Sequence, residues 1–186
     1  PRGNWGEHAP TIARGSNHLR YVLPEATFRL NTNAPPTYVA EGTWFSLHSP
    51  VSLIFGPDET LSGGIEETAA DFEDQTRQHW LHWSRRLAVP LEWQDAVIRA
   101  AITLKLCQFE ETGAIVAAMT TSIPEAAHSG RNWDYRYCWL RDAFFVVRAL
   151  NSLSEVGTME DYLRWLLDVI GGAQDHVQPL YGIGRE

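Results

Sequence analysis

The sequence predicts a mixed α and β protein in which antiparallel strands come first and packed helices follow. Three observations carry that expectation. Residues 1–57 show no helical period, only short β-rich runs broken by turn residues. Residues 65–87 place apolar side chains at steps of three and four. Beyond residue 93, helical stretches that are apolar nearly all round alternate with an amphipathic one.

The β-rich runs are Leu19 to Leu23, Ala26 to Leu30, Thr43 to Leu47 and Val51 to Phe55. Between them lie Asn31-Thr32-Asn33-Ala34-Pro35-Pro36 and His48-Ser49-Pro50, clusters that break regular structure. Strands at this spacing form an antiparallel sheet or half of a sandwich. So few strands make a poor closed sandwich, and open sheet edges are a liability, so further strands are expected upstream.

Pro57 to Gly64 is a turn-rich break. A helix is expected from Ile65 to about Leu87, with Phe72, Thr76, Trp80, Trp83 and Leu87 on one stripe. Acidic Glu66, Glu67 and Asp71 crowd its start and Arg85 and Arg86 its end, as the helix dipole favours. Trp80 and Trp83 read as packing residues rather than a ligand platform, because burial alone explains helical spacing. Trp93 to about Phe109 and Phe144 to Leu153 are apolar on nearly every side, which predicts burial all round. Thr158 to Ile170 is amphipathic, with Thr158 as cap, Glu160, Asp161, Arg164 and Asp168 as polar stripe, and Gly171-Gly172 as its end.

Composition narrows the function classes. Among 186 residues, 44% are hydrophobic, enough for a core. The net charge of −8, with Lys105 as the only lysine and no basic block, argues against nucleic acid or an anionic membrane as partner. No apolar run approaches the roughly 20 residues of a membrane span. Cys107 and Cys138 make neither a disulfide framework nor a zinc site, and no histidine pair suggests a metal. Two free thiols point to a reducing, cytoplasmic setting. No cofactor is expected.

The chemistry concentrates in Arg131-Asn132-Trp133-Asp134-Tyr135-Arg136-Tyr137-Cys138-Trp139-Leu140-Arg141-Asp142. A core segment does not hold so many charges, since burying an unpaired one costs several kcal/mol. A solvated loop does not hold so many rings. Two readings satisfy both halves. One is a pocket wall, with rings as flat apolar surface and ions as fixed hydrogen-bonding groups, which suits a sugar. The other is a structural corner held by Arg–Asp pairs.

This string closely resembles the motif of the glucoamylase-like glycoside hydrolases, glycoside hydrolase family fifteen, which includes glucoamylases, glucodextranases and some bacterial trehalases. The upstream Thr112-Gly113-Ala114-Ile115-Val116-Ala117-Ala118 and Thr120-Thr121-Ser122-Ile123-Pro124-Glu125 resemble the same family in order and spacing. So does Gln178 to Ile183, although Gly184-Arg185 stands where Asp-Gly is usual. The resemblance implies that residues 1–60 are the C-terminal part of a β-sandwich domain. Residues 61–90 are then a linker helix, and 91–186 the start of a catalytic toroid of six helical hairpins.

It also implies roles. Arg141 and Asp142 match the pair that holds hydroxyls at the non-reducing end of the first glucose, which enforces exo-action. Trp139 matches an aromatic wall and Tyr135 a tyrosine beside the developing oxocarbenium charge. An inverting mechanism needs a general acid and a general base about 6.5–9.5 Å apart. The family's two glutamates match no carboxylate here, so the chain by itself is expected to be inactive. Asp142 follows Arg141 directly, and a neighbouring guanidinium favours the ionised carboxylate, which suits an acceptor and spoils an acid. Asp134, Arg136 and Arg131 read as partners shaping the loop, and Glu125 as a turn residue. The implied substrate is an oligosaccharide or disaccharide with a terminal α-glucose: starch or dextrin ends, isomaltose or trehalose. The alternative is a non-catalytic sugar-binding or scaffold protein that kept this wall without an acid and base.

Overall fold

Alternation in the first sixty positions closes into one antiparallel sheet. In the computed structural model, which describes residues 8–121, 123–172 and 176–185, four strands lie side by side in chain order. They are β1 (Thr11–Arg14), β2 (His18–Val22), β3 (Thr27–Thr32) and β4 (Leu53–Pro57). Register sets Leu19 opposite Leu30, Tyr21 opposite Phe28, and Leu30 opposite Phe55. Side chains alternate with period two, so these residues share one face. There Phe28 stacks on Phe55 at 5.5 Å, and Tyr21 meets Phe55 edge-on at 6.3 Å.

On the other face Arg20 stands directly across from Arg29, a like-charge pair that by itself destabilises. Asp58, just past β4, answers both: Arg20 Nε donates to it at 2.8 Å and Arg29 Nε at 2.9 Å. The hydrogen bond from Arg20, followed by that from Arg29, holds the Asp58 carboxyl below the usual range.

Expected strands at 19–23, 26–30 and 51–55 sit within two residues of β2, β3 and β4. Thr43 to Leu47 is not a strand. Before it lies a short helix, α1 (Pro36–Glu41), in a stretch read as having none. Proline suits the first helical position, where its missing N–H costs nothing. Gly42, at φ 65°, ends the turn by donating its N–H to the Tyr38 carbonyl. Among the described residues no strand pairs with those that follow: Trp44 is 98% exposed, and the Phe45 ring lies 5.9 Å from that of Tyr38. Leu53 and Phe55 are exposed too, and no second sheet covers their face among the described residues.

The chain divides into two compact units, Pro1–His79 and Trp80–Glu186, with the boundary inside α2 (Ile65–Ser84). The expected helix to Leu87 stops three residues early. Its last turns tighten, Arg86 N–H reaching the Trp83 carbonyl and Leu87 N–H that of Ser84. Phe72 is exposed, but Trp80 and Trp83 meet edge to face at 5.6 Å, and Trp83 packs on Leu87, Ala101 and Leu150.

The second unit adds α3 (Gln94–Lys105), the two-residue β5 (Cys138–Trp139), α4 (Leu140–Ser152), α5 (Gly157–Gly172) and β6 (Leu180–Tyr181). Its main core gathers Ala114, Ile115, Cys138 and Ala143 around Trp165, which stacks on Tyr162 at 5.7 Å and meets Tyr181 edge-on at 6.1 Å. Helix α5 buries Thr158, Tyr162, Trp165 and Val169 on one face; the polar stripe runs beside that face, and Leu163, Leu167 and Ile170 stand exposed on the far side.

Three expectations need correction. Burial all round does not hold for α3, whose one buried residue is Ala101, while Trp93 and Leu106 are exposed. Nor does it hold for α4, which buries Ala143 and Leu150 but leaves Phe144 and Phe145 more than half exposed. The described residues put no further layer over those faces. Thr158 does not cap α5 either. It lies within the helix, its N–H bonded to the Glu155 carboxylate at 3.2 Å, and its hydroxyl donates to Gln108 Oε1 at 3.0 Å.

Candidate functional site

The motif is held from both sides by backbone. After α3 the chain doubles back: Phe109 N–H bonds the Ala114 carbonyl at 2.8 Å and Val116 N–H the Cys107 carbonyl at 2.9 Å. Gly113 makes the reversal possible, with φ at +85°, where only glycine is unstrained. Ala114 and Ile115 are thereby sunk in the core. Residues 117–120 then run against the motif. Ala117 and Ala118 N–H bond the carbonyls of Tyr137 and Tyr135, and Tyr135 N–H returns to Thr120, each at 3.0 Å.

From the other side, Cys138 is fully buried and pairs with Tyr181 between β5 and β6, and Leu140 N–H bonds the Pro179 carbonyl at 3.1 Å. Burial pushes the Cys138 thiol up to about 11, so it is an uncharged anchor and not a nucleophile. Trp139 keeps an extended backbone, and α4 begins at the next residue. Arg141 and Asp142 therefore stand in the first turn of a helix, where the dipole favours a carboxylate.

Arg141, Asp142, Trp139 and Tyr135, the four residues singled out from the sequence, come together on one cavity of about 260 Å³. Ala117, Glu125, Trp133 and Asp134 complete its lining. Arg141 Nη2 donates to Asp142 Oδ2 at 3.2 Å, and its guanidinium carbon lies 5.8 Å from the Trp139 ring centre. One bond leaves most of a carboxylate's acceptor sites open, and most of a guanidinium's five donors. Such a pair can accept from and donate to neighbouring hydroxyls at once.

Asp134 and Arg136 pair with each other, at 3.1 and 3.2 Å through the side chains and 3.0 Å from the Arg136 N–H. Their side-chain hydrogen bond is the main reason the Asp134 carboxyl sits below its ordinary range. Among the described residues no group of histidine, cysteine, aspartate or glutamate fits a metal ion. Residues 173–175, Ser122 and the two ends of the chain lie outside the described residues.

Four lining residues, Ala117, Glu125, Trp133 and Asp134, were not singled out from the sequence as site members. Glu125, read as a turn residue, turns its carboxylate to Trp133, whose Nε1 donates to it at 2.7 Å. Only the eight-residue spacing across the loop joins them, and spacing in a loop carries no direction. Gly184-Arg185, where the resemblance left doubt, supplies a surface pair instead: Arg185 Nη2 to Asp168 at 2.6 Å.

A larger opening of about 820 Å³ lies in the first unit, among Asn17, Asn31, Asn33 and Glu66. There Asn33 Nδ2 bonds the Pro50 carbonyl and Glu66, and Asn33 Oδ1 accepts from Ser52 N–H. Among the described residues, no tryptophan, tyrosine or phenylalanine lines it.

The family model described as "Glycosyl hydrolases family 15" matches residues 93–186. The chain is 38% identical over 124 residues to a trehalase of Mycolicibacterium smegmatis, covering 64% of this chain and 19% of that protein. It is 35% identical over 109 residues to a trehalase of Thermoplasma acidophilum, covering 59% of this chain and 19% of that protein. "Trehalase 1" of Sulfolobus acidocaldarius matches 98% of this chain at 27% identity, over 32% of its own length. The chain thus spans about a fifth to a third of the length of these relatives. No solved structure matches.

Proposed function

Because this chain belongs to glycosyl hydrolase family 15, we propose that it carries the glucose-binding wall of an inverting, exo-acting hydrolase of α-glucosidic substrates, trehalose foremost. One observation carries the reading: Arg141 and Asp142, in the first turn of α4, share a cavity with Trp139 and Tyr135. Guanidinium and carboxylate together take the hydroxyls at the closed end of a terminal glucose, and the two rings take its C–H faces. At about 260 Å³ the cavity falls just below the roughly 300–1,000 Å³ of drug-sized sites, which suits a single ring. Trehalose is preferred among α-glucosides because the relatives above are named trehalases.

In this reading the wall binds and orients, and the proton transfers belong to two carboxyls that these 186 residues do not supply. One protonates the bridging oxygen while the other draws a proton from water on the opposite face, about 6.5–9.5 Å away. Tyr135 stands beside the ring carbon on which positive charge develops. The sheet of the first unit is then part of a β-sandwich domain (1–60), α2 a linker (61–90), and the remaining helices the start of an (α/α) toroid (91–186). The exposed faces of α3 and α4 support that reading, since apolar helix faces are normally covered. Two free thiols fit a reducing compartment, and no described helix is long and apolar enough to cross a membrane.

The test is trehalose hydrolysis by the protein as its source makes it, with the fresh products followed by proton NMR. Inversion yields one α- and one β-glucose from each trehalose, whereas retention yields α-glucose alone. Asp142→Asn should lower kcat/KM at least about 30-fold, the scale of one lost charge-assisted hydrogen bond of roughly 2 kcal/mol. An unchanged kcat/KM would remove the clamp from the mechanism. Binding of glucose with no turnover of trehalose, maltose or isomaltose would favour the non-catalytic sugar-binding alternative.

A further inference from the structure

The cavity contains a tryptophan that is more firmly held than its exposure requires. Trp133 is 45% exposed, yet its Nε1 donates to Glu125 Oε1 at 2.7 Å and the Arg131 guanidinium lies 5.5 Å from its ring centre. Arg131 in turn reaches the other oxygen of Glu125, its Nε 3.5 Å from Oε2. The Glu125 N–H bonds the Arg131 carbonyl at 3.1 Å, which closes the loop between them. Two side chains that are tied to each other therefore hold one ring. Trp133 and Glu125 line the cavity, and Arg131, which holds both, does not.

An exposed indole gains little stability from such a frame, because exposed ion pairs are worth about 1 kcal/mol or less. A binding surface gains more. A ring already held in place loses no freedom when ligand arrives, which is how preorganised sites increase affinity. We infer that Trp133 is a stacking platform for the hexose ring in this cavity, with Glu125 as its positioning residue. The inference rests on the reading of the cavity as a sugar site. It adds two residues to the wall and gives them separate tasks. Trp133 touches the sugar, and Glu125 acts through Trp133.

Glucose is the probe, since it binds without being turned over, and its Kd is measured calorimetrically on the full-length protein. Trp133→Ala should raise Kd about tenfold, the upper scale of a single ring contact, and Trp133→Phe, which keeps a ring, about threefold. Glu125→Ala should raise Kd about threefold by freeing the indole, whereas Glu125→Gln, whose amide oxygen still accepts the Nε1 proton, should stay near wild type. The diagnostic result is coupling: in a Trp133→Ala background, Glu125→Ala should change nothing further. Thermal melts exclude variants that do not fold, and Trp133→Phe carries the test if Trp133→Ala is lost. If Arg141→Ala abolishes glucose binding while both Trp133 variants bind like wild type, this inference falls and the sugar site stands. If Arg141→Ala also binds like wild type, the sugar site falls with it. Additive losses from Glu125 and Trp133 would overturn the positioning role.

Discussion

A single methyl group at position 113 measures how tightly the loop behind the site is held. Gly113 has φ at +85°, and alanine there takes on the left-handed penalty of about 1–2 kcal/mol. Its Cβ would also lie 2.3 Å from the Asp161 carbonyl oxygen and 2.7 Å from the carbonyl carbon. Those are backbone atoms inside α5, so no side-chain rotation relieves the clash. Either the loop or the helix must shift by about 1 Å, and overpacking of this kind costs about 1–3 kcal/mol. Gly113→Ala should therefore destabilise the protein by about 2–5 kcal/mol, a fall in Tm on the order of 10 °C for a unit of this size. Thermal unfolding followed by far-ultraviolet circular dichroism reads it directly. A Tm within about 2 °C of wild type would mean that loop and helix do not approach as described.

Three other outcomes follow from the packing. Gly171→Ala meets open space near the end of α5 and should be neutral or stabilising by up to about 1 kcal/mol, which makes it the matched control in the same melts. Thr158→Val keeps the shape but takes a hydroxyl from the buried group of Lys105, Gln108 and Thr158; urea midpoints should show a loss of about 1–3 kcal/mol. Cys138 has a folded pKa of about 11, raised by burial above its unfolded value near 8.5, so its contribution is complete below about pH 8.5 and lost as pH rises through 11. Urea midpoints from pH 8 to 11 should fall, and Cys138→Ala should flatten part of that slope. Tyr162, raised mainly by burial, works in the same direction at still higher pH.

The strands were legible where alternation had a partner strand to meet it. Leu19, Tyr21, Phe28 and Leu30 read as a face because they pair across one. Thr43 to Leu47 has the same composition and stays solvated, since β-propensity reflects fit against a neighbour more than any property of the run itself. β1 has four exposed residues and α1 only six in all, too short for any period to register. Apolar helices announced that something should cover them, but a sequence pattern cannot say what.

The site divides along similar lines. Arg141, Asp142, Trp139 and Tyr135 were singled out because they fall in one string that resembles a family motif; their composition alone left a pocket wall and a structural corner both open. Glu125 was not, because its partner lies across a loop, and turn chemistry explained it well enough alone.

The two-residue ladder between β5 and β6 sets an order of events during synthesis. Trp139 and Leu140, the residues that aim Arg141 and Asp142 into the cavity, are braced by Pro179 to Tyr181, about forty positions later in the chain. At roughly 5–20 residues per second, a ribosome delivers that brace about 2–8 seconds after the motif itself. During that interval the rings and charges of the motif have emerged without the strand that fixes their direction, so the wall is finished from its far end.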